Sequence, residues 1–291
     1  MMPPTLPTVT QEEIAAGLRR LGLEAGSGVI VHSSLKSFGH VAGGPHAVIA
    51  ALMDVLTPQG TLLMPSFNHG AAFEPGAPGY YHPCETPTLN GAIPEAFWRM
   101  PGVYRSLDPT HPVAAWGQHS RTYTQFHHRT LTMGPRSPIG LLMADGGFGL
   151  LLGVDYHANT FHHVVEMSTG APCLGQRSEA YPVVLPDGRR VTGRTWGWRE
   201  AACPINDAAL YADEMAARGL HRQTTIGNCR ATLFRLADAY AVIAALLQSG
   251  YRGHPPCSRC PIRPRRVPQT VPSDWDPLTQ QPLPDSEAWL Y

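Results

Sequence analysis

Ile14, Leu18 and Leu21 recur at helical spacing within TQEEIAAGLRRLGL (10–23), with polar and small residues between them. That is the stripe of an amphipathic helix, and Thr10 with Glu13 three residues on forms a capping box that starts it. GVIVHSS (28–34) is continuously apolar until it meets hydroxyls, as a strand running into a polar turn would be. In GGPHAVIAALMDVL (43–56) Pro45 stands near a helix start, and Val48, Ile49, Leu52 and Leu56 follow at helical spacing. GTLLMPSF (60–67) reads as the next strand. Strand, helix and strand joined by short links argue for a βαβ unit and an α/β class.

Farther along, 68–90 is rich in Gly, Pro, Tyr and His and has no period, so it reads as a long loop. GAIPEAFWRM (91–100) is a short helix, AAWGQHS (114–120) a strand end, and SPIG (137–140) a turn into a helix. FGLLLGV (148–154) is a buried strand closed by a glycine, and TFHHVVEM (160–167), free of Gly and Pro, is a helix. ADAYAVIAALLQSG (237–250) is a late helix ended by Gly250. Prolines crowd the chain from about Pro255, so residues 1–254 read as one catalytic domain and 255–291 as a Pro-rich tail.

The composition excludes several classes. The chain has 291 residues, 43% of them hydrophobic, enough for a substantial core. Lys+Arg and Asp+Glu are equal at 22 each, so no global field recruits nucleic acid or an anionic membrane. No apolar run reaches the ~18 to 20 residues of a membrane span, and no basic flank leads into a leader-like segment. A cytoplasmic monomer or homodimer is the expectation. The six cysteines (84, 173, 203, 229, 257 and 260) do not resemble a disulfide framework. Cys257 and Cys260 form a C-x-x-C that Cys203 and Cys229 would have to complete as a zinc site. Those two lack the matching spacing, so no metal is expected.

Candidate chemistry concentrates at LLLGVDYHANTFHHVVE (150–166), where a strand hands over to a helix. In open α/β sheets ligands bind at such strand ends and helix N-termini. Asn159 or Thr160 can cap this helix. His163 and Glu166, three apart, share a face, and a carboxylate beside an imidazole makes a base-and-orienter pair. His162 leaves the helix about 100° away from His163, on a different face. In VHSSLKSFGHVAGG (31–44) a strand ends in hydroxyls and Lys36, the chain's one lysine. The Gly43–Gly44 pair then opens a helix whose N–H groups can hold phosphate or amide oxygens. In YRSLDPTHPVAAWG (104–117) Ser106 and His111 precede an apolar strand.

Taken in order, these segments resemble the aminoglycoside 3-N-acetyltransferase family of antibiotic N-acetyltransferases, which is unrelated to the GNAT fold. The resemblance covers roughly residues 12 to 247. It implies a three-layer α/β/α fold with a mixed, largely parallel central sheet. The activity it implies is acetyl transfer from acetyl-CoA to an amine, typically the 3-amine of a 2-deoxystreptamine ring. Carried over residue by residue, the acetyl-CoA pocket falls on His32, Ser33, Ser34, Lys36 and Ser37, and Gly43, Gly44, Ser106 and His111 of the segments read above are the further candidates for binding it. The catalytic pair falls on His163 as general base and Glu166 as its orienter. Asn159 and Asp207, the latter in WREAACPINDA (198–208), are the candidates for substrate binding. That loop is poor in the carboxylates a polycation attracts, and Phe161-His162 replaces the family's commoner Ser-Leu. Both departures bear on which amine is taken.

Overall fold

The computed structural model describes residues 8–169, 178–196, 208–259, 275–276 and 281–282. Helix α1 (Gln11–Leu21) begins as the capping box predicts. Glu13 N donates to Thr10 Oγ1 at 3.2 Å, and Thr10 N donates to Glu13 Oε2 at 2.8 Å. Two short strands, β1 (Thr8–Val9) and β3 (His40–Val41), pair in parallel on either side of β2 (Gly28–Ser33) in the sequence. Next come α2 (Gly44–Leu56), β4 (Thr61–Pro65), α3 (Ala92–Trp98), β5 (Tyr104–Arg105) and β6 (Val113–Gly117). After α4 (Ser120–Thr124) and α5 (Pro138–Ala144) the chain enters β7 (Phe148–Leu152) and α6 (Phe161–Ser168). β8 (Ser178–Val184) and β9 (Arg190–Trp196) make a separate antiparallel hairpin. Then α7 (Ala208–Ala217), β10 (His221–Ile226), β11 (Cys229–Arg235) and α8 (Leu236–Ser249) follow.

The main sheet has seven strands in the order β10-β11-β7-β2-β4-β6-β5. Each strand alternates its side chains between two faces, so a helix layer is needed on both. Val29 and Val31 of β2 face a cluster built on Ile14 and Leu18 of α1, Val48 and Leu52 of α2, and Phe97 of α3. Ile30 faces the other way, into Ile139 of α5, Val164 and Val165 of α6, and Val242 and Ile243 of α8. Each such fully buried aliphatic side chain contributes about 1.5–3 kcal/mol. The three-layer α/β/α arrangement with a mixed sheet is as expected, with parallel pairing narrower than the sequence implied. Within this sheet it is confined to β4-β2-β7, because β6, β5, β11 and β10 add antiparallel on the flanks.

Most predicted elements form within a residue or two of their expected ends. The strand read at AAWGQHS starts one residue earlier, at Val113, and closes at Gly117. No described helix is long and apolar enough to cross a membrane. The connection from β2 runs through α2 to β4 on one side, while β7 lies on the other, so the strand order reverses direction between β2 and β7. A crevice outside the carboxyl ends of strands at such a point is where open α/β sheets bind ligands.

Candidate active site

β2 and β7 run parallel in a register that sets Ser33 beside Leu152, so both chains leave the sheet together. Beyond β2 the chain makes one tight helical turn, Leu35–Phe38. Ser34 N donates to Leu152 O at 2.9 Å, and Ser37 Oγ donates to Ser34 O at 2.7 Å, which ties this turn to the neighbouring strand. Gly153, the residue after β7, has φ 67°, and a Cβ there would stand 1.6 Å from Ser37 Oγ. Only glycine satisfies both the backbone angle and the close approach. His32 holds the far end of the connection. Its Nε2 accepts from Thr160 N at 3.2 Å and lies 3.0 Å from Thr160 Oγ1, which fastens the end of β2 to the start of α6. Burial lowers its pKa to about 3, so the ring stays neutral.

Helix α6 begins on Asn159, which is fully buried and whose Oδ1 accepts from Phe161 N at 3.2 Å. Thr160 makes no side-chain cap, its hydroxyl being turned to His32. Phe161, Val164 and Val165 go into the core. On another side of the helix, His163 Nδ1 lies 2.7 Å from Oε2 of Glu166. Glu166 is fully buried while the His163 side chain is 32% exposed, so the pair presents an imidazole backed by a hidden carboxylate. With the carboxylate accepting, Nδ1 carries the hydrogen and Nε2 keeps its lone pair.

His162 is not where helical spacing alone sets it. Its ring centroid is 4.0 Å from that of His163, and the two Nε2 atoms are 3.2 Å apart. The Cβ atoms do diverge by about 100°. At the first turn of a helix, however, no preceding turn confines the rings, and rotation about the side-chain torsions brings them together.

The other predicted residues are spread around this centre. Ser33 ends β2 with a buried hydroxyl that has no hydrogen-bond partner among the described residues. Lys36 is exposed on the turn. Gly43, at φ 83°, is the left-handed N-cap of α2, and Gly44, at φ 58°, is its first residue. Ser106 is buried, its Oγ accepting from Val113 N at 2.8 Å and lying 2.7 Å from His127 Nδ1. His111 packs against Phe67 and His69, with ring centroids 5.0 and 5.1 Å away, and its Nδ1 is 2.7 Å from Thr110 Oγ1. Burial lowers its pKa to about 4 against the opposing pull of Asp108, and the charges of His69 and His163 lower it further. Asp207, Cys203 and Cys260 lie outside the described residues. Cys229 is packed into the core, where burial raises its thiol pKa to about 11.

Two features were not read from the sequence. A cavity of about 690 Å³ opens beside the Ser34–Ser37 turn, with Ser37, Gly153, His157, Asn228 and Arg230 among its walls. Of the residues predicted for the cofactor, Ser37 is in that wall. Asn228 and Arg230 come from the β10–β11 hairpin, and no motif marks them. The second feature is the buried carboxylate of Asp108. It accepts from the N–H groups of Thr110 (3.1 Å) and His111 (2.8 Å) and from the hydroxyls of Thr132 (2.7 Å) and Thr195 (3.3 Å). The LDPTHP stretch does carry the turn signal of Asp two residues before Thr.

Residues 30–248 match the protein family described as Aminoglycoside 3-N-acetyltransferase. The chain is 33% identical over 256 residues to aminoglycoside N(3)-acetyltransferase VII of Streptomyces paromomycinus, covering 79% of this chain and 88% of that protein. It is 37% identical over 253 residues to the SPbeta prophage-derived aminoglycoside N(3')-acetyltransferase-like protein YokD of Bacillus subtilis (strain 168), covering 79% and 89%. Among solved structures, the binary complex of AAC-IIIb with CoASH superposes with a TM-score of 0.73 at 25% identity. It covers 86% of this chain and all of that one.

Proposed function

The chain belongs to the aminoglycoside 3-N-acetyltransferase family and is an acyltransferase that draws on acetyl-CoA, and from that premise we propose direct transfer to an amine with His163 as general base. The proposed acceptor is the 3-amine of a 2-deoxystreptamine aminoglycoside, and the proposed compartment is the cytoplasm. The observation that carries the reading is the His163–Glu166 pair, 2.7 Å apart, partly open on one side and buried on the other.

The walls of the cavity beside the Ser34–Ser37 turn suit acetyl-CoA. The volume of about 690 Å³ is within the range of small-molecule sites. Arg230 offers a cation to phosphate, and Gly153 keeps backbone within reach of a ligand. Ser33, outside these walls at the end of β2, has a buried hydroxyl still to be satisfied. When bound, acetyl-CoA supplies a thioester carbon for the amine to attack. His163 Nε2 takes the proton that the amine nitrogen sheds as the C–N bond forms and the C–S bond breaks, and it returns that proton to the departing sulfur. Glu166 keeps the ring in the Nδ1–H tautomer and stabilises the imidazolium that forms. Ser34 N is committed to Leu152 O, so the Ser33 hydroxyl is the better donor from this turn to the oxyanion.

The test is release of free CoA with acetyl-CoA and a panel of amines, aminoglycosides first, followed by NMR location of the acetyl group. Acetylation at the 3-amine supports the reading; no turnover of any 2-deoxystreptamine compound contradicts the proposed substrate. Residues 201–207 read AACPIND, with a single carboxylate, which favours a narrow substrate range. Equal turnover of many such compounds would count against that narrowness.

A further inference from the structure

We propose that His162 and His163 together bind a divalent transition-metal ion such as Zn²⁺ between their Nε2 atoms, and that the ion reversibly blocks the proposed base. This departs from the expectation of no metal drawn from the cysteines. Binding stands apart from the proposed function; only its effect on turnover rests on that reading.

The argument begins at the buried carboxylate. Glu166 accepts a hydrogen bond from Nδ1–H of His163, so the lone pair of His163 is on Nε2, 3.2 Å from Nε2 of His162. Two neutral imidazoles can hold that contact only by placing one hydrogen between them, whereas a cation accepts a lone pair from each. A tetrahedral ion bonded at about 2.0–2.1 Å holds two nitrogens about 3.3 Å apart, and the observed separation is 3.2 Å. His162, His163 and Glu166 each bring a ligand atom within 4.8 Å of the others. Glu166 serves best behind His163, where a carboxylate on the second ring nitrogen fixes the tautomer and makes the ligating nitrogen more basic. Imidazole donors favour Zn²⁺, Cu²⁺ and Ni²⁺ over the hard cations. His163 is 32% exposed, so an ion has access, and water or substrate can fill the remaining coordination positions. The chelate depends on His162, the residue that stands where the family resemblance calls for leucine. An ion seated there uses the same lone pair that removes the amine proton, which is why binding and turnover compete.

Titration calorimetry with ZnCl₂ on untagged, chelator-treated protein tests the site, with Co²⁺ absorption spectra reporting the donor type. One ion per chain is expected, with a Co²⁺ spectrum free of thiolate charge transfer. Both should be lost in His162→Leu and His162→Gln and retained in Cys257→Ser. Glu166→Gln should weaken binding about 10- to 100-fold. Melting curves without metal establish that each variant is folded. Wild-type affinity in both His162 variants, loss of the ion in Cys257→Ser, or no binding to wild type would each overturn the proposal. Zn²⁺ should then inhibit CoA release by wild type and be reversed by chelator, while His162→Leu, compared with its own uninhibited rate, should resist. Zinc binding at the pair in a protein that acetylates nothing would leave the site standing and remove the proposed function.

Discussion

At the scale of single residues, His163 and Glu166 are legible in the sequence, because three residues of helix put them on one face. His163→Ala should lower kcat by on the order of 10² to 10⁴ while acetyl-CoA binding persists, since only the proton transfer is lost. The variant removes one partner of the buried Glu166 carboxylate and so lowers stability, and the assay belongs well below its melting temperature. Unchanged kcat would remove His163 from the chemistry. Gly153 is legible as the end of a strand, but not as the floor on which Ser37 rests. Gly153→Ala sets a methyl 1.6 Å from Ser37 Oγ at φ 67°. It should displace the Ser34–Ser37 turn and abolish the thermal shift produced by acetyl-CoA; a shift equal to wild type would detach this turn from cofactor binding. The His162–His163 contact escapes the sequence for a physical reason. Helical periodicity fixes where Cβ points, and the contact is made by torsions beyond it.

At the scale of elements, the helices announce themselves because each buries one stripe and several carry caps. Thr10→Ala removes half of the capping box of α1 and should lower stability by about 1 kcal/mol. That is a fall of about 2 °C in melting temperature for a chain of this size, and a calorimetric scan showing none would mean that α1 is held by packing alone. The strands flanking the sheet are harder to read. β10 (HRQTTI) buries only Ile226, so the alternation that marks a half-buried strand is missing, and its turn to β11 is Gly-Asn where Asn-Gly is the stronger hairpin signal. The β8–β9 hairpin pairs outside the main sheet, and its buried Val183 and Leu185 meet Tyr81 from the long loop. Such a partner cannot be inferred from periodicity. Arg230 goes unread with its strand: the cavity wall it contributes exists only once that hairpin has been added to β7.

At the scale of the whole molecule, a set of buried neutral histidines sets the response to acid. His32 and His128 are held at about 3 and His111 at about 4, against an ordinary imidazole value of 6.5, chiefly by burial. Their folded values lie below the unfolded one, so below pH 6.5 the unfolded chain binds more protons. The stability they contribute is complete above that pH and is lost as pH falls from 6.5 towards 3. The urea midpoint should therefore be lower at pH 5 than at pH 7.5; equal midpoints would mean that these rings are hydrated. The parallel pairing of β2 with β7 has its own consequence in time. Val29 pairs with Phe148, more than a hundred residues later in the chain. At about 5–20 residues per second of synthesis, β2 waits roughly 6 to 24 seconds for its neighbour to be made. Through that interval one edge of the central strand is bare, and the His32–Thr160 clasp has only one of its halves. This end of the sheet thus stays open until β7 and the start of α6 have been made, with β10, β11 and α8 still to follow, and a ribosome-bound chain paused in that interval carries an exposed strand edge at its centre.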